Sequence, residues 1–217
     1  MSENSFSLLN MVKSLPPLSR RERRVAARKA QIIEAAAEVF SRQGYEHTTT
    51  KQIAETADLA EGTLYNYFAN KRDLLIAVAQ DFAQDVTNAL AQTKATSMEA
   101  VMAELLTARF RSGRERRLFM LFLHESRFNP DVRQYYVEEA IYTIITETEK
   151  IFRQLIADGV MRPVNPAVAA RTISATIMGY AALYEFLQEI QPDGDGRFTP
   201  NQLGQEVTDN FIKGLQK

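Results

Sequence analysis

Apolar residues recur along this chain at intervals of three and four, with no sustained alternation of the kind a half-buried strand requires. The spacing predicts an all-α protein. Ile32, Ile33, Ala36, Val39 and Phe40 fall on one face of a first helix. Ile53, Ala54 and Ala57 do the same over a much shorter stretch, and Leu64 and Phe68 in the next. Boundaries are read from caps. Ser19 with Glu22, Thr49 with Gln52, Asn70 with Asp73 and Thr96 with Glu99 each have capping-box spacing. Asn129-Pro130, Asn165-Pro166 and Thr199-Pro200 place a proline where the missing N–H costs nothing. Gly44, Gly113 and Gly159 read as C-terminal stops. The expected helices cover 20–43, 50–57, 61–68, 71–93, 97–112, 115–126, 130–157, 166–190 and 200–213.

Very short helices near the front, followed by long amphipathic ones, predict an irregular extension over 1–18, a compact helical domain over 19–70 and a larger bundle over 71–217, with the helix from Lys71 as the bridge. With 45% hydrophobic and 24% charged residues, the chain can bury a sizeable core. It contains no cysteine and two histidines, His47 and His124, so disulfides, cysteine-rich zinc sites and thiol nucleophiles are excluded. Scattered carboxylates leave no nucleophile–base or metal constellation, and the expectation is a non-enzyme without metal or cofactor. The Pro-Asp-Gly-Asp-Gly stretch at 192–196 lacks the further carboxylates and closing Glu of a calcium loop. Ser and Asn interrupt Phe6 to Val12, and no apolar run has membrane-spanning length, so a cytoplasmic protein is expected.

Charge is divided unevenly. Residues 1–72 carry 11 basic and 8 acidic side chains, whereas residues 73–217 carry 15 and 19. Arg20, Arg21, Arg23, Arg24, Arg28 and Lys29 crowd the start of the first helix, a pattern that suits a polyanion and, equally, a solvated arm. From Thr48 to Phe68 the chain reads TTTKQIAETADLAEGTLYNYF. Two helices this short must pack together and onto the first helix, and the brief Ala57-Asp58-Leu59 connection forces a sharp crossing. That is the plan of a helix-turn-helix, whose second helix enters the DNA major groove. Gly62 admits close backbone approach, while Thr63, Tyr65, Asn66 and Tyr67 offer hydroxyls, an amide and aromatic rims to phosphates or base edges, beside Ala60. Thr48, Thr49, Thr50, Lys51 and Lys71 are expected near the DNA backbone.

Gly44-Tyr45-Glu46, Thr48-Thr49, Ile53-Ala54, Gly62-Thr63-Leu64-Tyr65, Tyr67-Phe68 and Lys71 through Leu74-Leu75 resemble, in order and spacing, the N-terminal signature of the TetR family of bacterial transcription regulators. The resemblance covers about Ala30 to Leu75 and implies a homodimer of nine-helix subunits that represses a double-stranded operator until a small effector enters the C-terminal domain. The chain departs from the pattern at Asp58, where glycine is common, and at Ala60-Glu61, where Ser-Lys is frequent; Asn66 stands at a frequently aromatic position. Glu61 can face solvent, favour its helix N-terminus or accept from a cytosine amine, and Asn66 can pair with adenine. An additional expectation is that Arg20, Arg21, Arg23, Arg24 and Arg28 extend the contact with DNA.

In the bundle, the small residues Ala169-Ala170, Ser174-Ala175, Gly179 and Ala181-Ala182 let helix 166–190 approach a neighbour closely, so this helix and 200–213 are expected at a two-fold interface, with packing inside one subunit as the alternative. Met98, Met102, Phe110, Phe119, Phe122, His124, Tyr135, Tyr142, Met178, Tyr180 and Tyr184 are either core or the lining of a site for an apolar or aromatic ligand. His124 with Glu125 and Arg127 could anchor such a ligand or simply end a helix. A ligand-independent architectural or cell-division factor on the same fold is the rival reading.

Overall fold

The structure, a computed structural model, describes residues 19–92 and 113–190 together with Glu206, Asp209, Asn210 and Gly214. Every regular element among these residues is helical. The expected helices at 97–112 and 200–213, their caps, the loop at 192–196 and the pocket candidates Met98, Met102 and Phe110 lie outside the described residues or mostly so. No helix among the described residues is long and apolar enough to cross a membrane.

Helix α1 (Arg20–Gln43) begins where local chemistry demands. The Ser19 hydroxyl accepts the Glu22 N–H at 3.2 Å while the Glu22 carboxylate accepts the Ser19 N–H at 2.7 Å. It ends at Gly44, whose φ of 77° a side chain would resist. Helix α2 (Thr50–Thr56) carries the same reciprocal cap between Thr49 and Gln52. Its end is a Schellman turn: Leu59 N–H reaches the Ala54 carbonyl at 2.9 Å and Asp58 N–H reaches Glu55 at 3.1 Å. The left-handed position falls on Asp58, at φ 53°. Asp is among the few side chains that tolerate this conformation, at a cost of about 1 kcal/mol relative to glycine.

The chain then enters α3 (Glu61–Leu64) and α4 (Lys71–Gln92), the latter capped by the Asn70 side chain on the Asp73 N–H at 2.9 Å. Helix α5 (Gly113–Glu125) precedes a continuous rod made of α6 (Pro130–Val132), a π-wound stretch over Arg133–Ile141, and α7 (Tyr142–Ala157). Helix α8 (Pro166–Ile190) packs back on α7. Asn129 and Asn165 cap the two proline-led starts.

Two details differ from the sequence expectation. The α-helix expected over 61–68 runs only over Glu61–Leu64; the turn beyond it mixes tighter bonds, Asn66 N–H to Thr63 and Tyr67 N–H to Leu64, with an α-type bond from Phe68 N–H to Leu64. Ala60 offers no capping oxygen, and Thr63, Tyr65 and Asn66 are modest helix formers. Gly113 is the first described residue of α5, and the helix expected to stop there, 97–112, lies outside the described residues. The π winding of 133–141 has no cap or proline to announce it.

One buried cluster runs through the molecule. Ile32, Ala36, Val39 and Phe40 of α1 meet Ile53, Ala54 and Ala57 of α2 together with Leu64 and Phe68. Each such fully buried aliphatic or aromatic side chain contributes about 1.5–3 kcal/mol, which is what holds a four-residue helix in place. The cluster continues through Leu74, Leu75 and Val78 of α4 to Phe119, Phe122, Tyr136, Phe152 and Ile173. Helix α1 therefore packs against α2, α4 and α5 alike.

Candidate nucleic-acid interface

The α2–α3 corner is organised by side chains that reach across it. Thr50, in the first turn of α2, donates to the Glu61 carboxylate at 2.6 Å, and its hydroxyl lies 3.0 Å from the Tyr65 hydroxyl. Glu61 thus faces neither open solvent nor a base in the free chain; it ties the start of α3 to the start of α2. Tyr65, 48% exposed, is held upright by that contact, and Asn66 beside it is exposed. Thr63 and Tyr67 are half-buried, and Tyr67 packs on the core.

Gly62 is exposed, has no positive φ, and a Cβ built on it meets nothing within 4 Å. The fold does not require glycine there, although glycine costs a helix about 1 kcal/mol relative to alanine. What it provides is bare backbone on the outer surface, next to exposed Ala60.

The residues expected at the DNA backbone divide into two groups. Thr49 and Lys51 are exposed, Lys51 with a loose 4.0 Å pairing to Glu55. Thr48 is buried, and its hydroxyl donates to the Gly44 carbonyl at 2.7 Å. The Lys71 ammonium donates to the carbonyls of Tyr45 at 2.8 Å, Thr48 at 2.9 Å and Glu46 at 3.4 Å, and lies 4.3 Å from the Tyr45 ring centre. Its three protons hold the α1–α2 loop, so a phosphate would have to compete for them.

Two glutamines unremarked in the sequence complete the scaffold. Gln43 donates to the His47 carbonyl at 2.8 Å and to Gln52 at 2.9 Å, joining the end of α1 to the cap of α2. Gln31 donates to the Ala57 carbonyl at 2.7 Å and accepts from Arg28 at 2.9 Å. Neither carries a sequence signal: the partner of Gln31 lies 26 residues away, and those of Gln43 are set by the course of the α1–α2 loop. Ahead of Arg28, Ser19 and residues 20–27 of α1 are all exposed, and the guanidinium groups of Arg20, Arg21, Arg23 and Arg24 bond to no other described residue.

This head is clamped to the bundle. Arg114 of α5 makes a two-pronged pair with Glu34 of α1, Arg117 donates to the Ser41 carbonyl at 2.8 Å, and Arg72 bonds Asp131 at 2.9 Å. The Arg114 hydrogen bonds hold the Glu34 carboxyl below the usual carboxylate range. Nearby, burial foremost and then the neighbouring charge of Asp85 push the Asp81 carboxyl up.

The described bundle candidates do not gather in one place. Phe119 and Phe122 are buried against Tyr136, with ring centres 6.2 and 5.3 Å away, and Phe82 joins them. Tyr184 lies under Arg116 at 4.6 Å. Tyr135, Met178 and Tyr180 are half-buried, whereas Tyr142 is 60% exposed. His124 is exposed at the end of α5 beside Phe128; the Arg127 N–H donates to its carbonyl at 3.2 Å, and its imidazole makes no bond to Glu125 or Arg127 among the described residues.

Residues 32–78 match the model of the bacterial regulatory proteins of the tetR family, and residues 97–195 match the C-terminal domain of AefR-like transcriptional repressors. The fatty acid metabolism regulator protein of Bacillus subtilis is 45% identical over 51 residues, which take in 24% of this chain and 26% of that protein. The chain thus spans about a quarter of that curated relative. Among solved structures, the transcriptional regulator FadR from Bacillus subtilis in complex with stearoyl-CoA superposes with a TM-score of 0.65 at 24% identity, covering 85% of this chain and 98% of that one. The ketosteroid transcriptional regulator KstR2 of Mycobacterium tuberculosis does so at 0.66 and 20%, covering 88% and 95%. The fold is shared with both.

Proposed function

The chain belongs to the TetR family of bacterial transcription regulators, and from that premise we propose that it is a cytoplasmic DNA-binding repressor released from its operator by a small apolar or aromatic ligand. The observation that carries the reading is the α2–α3 corner: a core-anchored α3 whose outer face presents Gly62 backbone, Tyr65 and Asn66, with Thr50 and Glu61 fixing their pose. Thr49, Thr50, Lys51 and Thr63 flank that face as backbone contacts, and Asn66 is the side chain assigned to a base edge.

A second copy of the chain is the proposed partner on α8. Val168, Thr172, Ala175, Gly179, Leu183 and Phe186 follow each other at three- and four-residue steps, and all are exposed. Apolar ends around a small-residue centre suit close helix pairing. Such a dimer would present two α3 segments to half-sites one DNA turn apart. A ligand that alters the pitch of α4, or the Arg114–Glu34 clamp on α1, would change that spacing and release DNA. The ring-to-ring packing of Phe82, Phe119, Phe122 and Tyr136 favours the rival, a ligand-independent architectural factor, and a screen for compounds that release DNA separates the two.

Selection of duplexes from a random pool tests DNA reading directly. The expected product is an inverted repeat with half-site centres about 10 base pairs, or a multiple, apart. A pool that stays random overturns the reading.

A further inference from the structure

We propose that the first two turns of α1 form an arginine rail that grips the phosphate backbone of duplex DNA outside the half-site read by α3; this rests on the DNA-binding reading above. Arg20, Arg24 and Arg28 recur every fourth residue, Gln31 follows three on, and Arg21 lies beside them, so all five share one face of the helix. That face is oriented by a bond already described: Gln31 holds the Ala57 carbonyl at the α2–α3 turn, and Arg28 holds Gln31. The rail therefore starts at the corner of the DNA-reading unit and runs outward, away from the body. Its helical form is built in by the Ser19–Glu22 cap and by alanines and arginines, which need no packing partner to favour a helix. Glu22, the one acidic residue between Ser19 and Lys29, faces away and is committed to the Ser19 N–H.

Charge decides the partner. From Arg20 to Arg28 the rail is about 12 Å long, over which a duplex presents about seven phosphate charges. Guanidinium forks match phosphate oxygens in pairs, and a row of them carries no base information. The family match begins at residue 32, so the rail lies ahead of the matched residues on the same helix.

The test compares wild type with R20Q/R21Q/R24Q on the selected duplex, on a scrambled duplex, and on the selected duplex trimmed to its half-sites. The three arginines have no partner among the described residues, and Arg28 stays in place to hold Gln31. The variant is expected to bind both full-length duplexes on the order of tenfold more weakly, with a log–log salt slope shallower by about 0.9 per chain for each arginine that touches phosphate. Trimming should weaken wild type and leave the variant unmoved. R20K/R21K/R24K should recover most of the affinity, because the charge is kept. Unchanged affinity and slope in the glutamine variant, on a duplex that wild type binds, overturn the rail alone; a wild type that binds no duplex overturns the parent reading. A glutamine variant that keeps its DNA affinity but loses binding to phosphatidylglycerol vesicles also overturns it, in favour of a membrane surface.

Discussion

The same four letters, Arg-Glu-Arg-Arg, occur at 21–24 and at 114–117, each within a helix, and the fold gives them opposite occupations. At 21–24 the helix has left the body: every arginine is exposed and its guanidinium bonds to no other described residue. At 114–117 the helix lies between α1 and α8, and each arginine has a protein partner: Glu34 for Arg114, Glu185 for Arg116, and the Ser41 carbonyl for Arg117. Local sequence sets the helix in both places. What surrounds it decides whether its charge is available to an outside partner or is used to hold the molecule together.

The sharpest way to break the comparison is to remove one arginine of the inner set. The Arg116 and Glu185 side chains are only 10% and 12% exposed. Arg116→Met should therefore cost about 3 kcal/mol in urea unfolding, because the carboxylate is left behind in a nearly dry site. Arg23→Met, at the outer set, should stay within about 0.5 kcal/mol. Equal losses at the two sites would erase the distinction.

A smaller effect is expected at the clamp. Arg114→Gln should lower stability by no more than about 1 kcal/mol, since the pair is partly solvent-screened. Its signature is in acid. Glu34 titrates lower in the folded chain than in the unfolded one, so its stabilisation is present above about pH 4 and disappears as pH falls through the lowered value. Urea midpoints of wild type should show that acid loss, and those of Arg114→Gln should show less of it. Smaller still is the expected change in stability for Gly62→Ala, neutral to about 1 kcal/mol favourable from helix propensity. Its DNA affinity should nonetheless fall, as the added methyl stands where backbone meets phosphate; unchanged affinity would remove Gly62 from the contact surface.

What was legible in the sequence follows the same division between local and distant. Caps are three-residue messages, and Ser19–Glu22, Thr49–Gln52, Asn129-Pro130 and Asn165-Pro166 start helices where that chemistry requires. The core stripe of α1 and the short α2–α3 pair could be read from period alone. Bonds that span 11 to 26 residues could not: Thr50 to Glu61, Gln31 to Ala57, and Lys71 to Tyr45 depend on where the fold brings the chain back on itself. Hence Lys71, expected at DNA, faces the protein's own carbonyls and Gln31 went unnoticed; Thr48 and Gln43 are likewise taken up by the α1–α2 loop, whose course no residue pattern announces. Phe119 and Phe122 show the same limit in the bundle, since an aromatic at helical spacing is compatible with core and with pocket alike.

One binding measurement bears on the whole division of labour between α3 and the rail: affinities of wild type, Asn66→Ala and R20Q/R21Q/R24Q for the selected duplex and a scrambled one of equal length. Asn66→Ala is expected to weaken binding to the selected duplex by about 1–3 kcal/mol and leave the scrambled duplex nearly unaffected. The arginine variant should weaken both by a similar factor. If Asn66→Ala weakens both equally, or the arginine variant weakens only the selected duplex, the account of a base-reading head beside a backbone-gripping rail is contradicted.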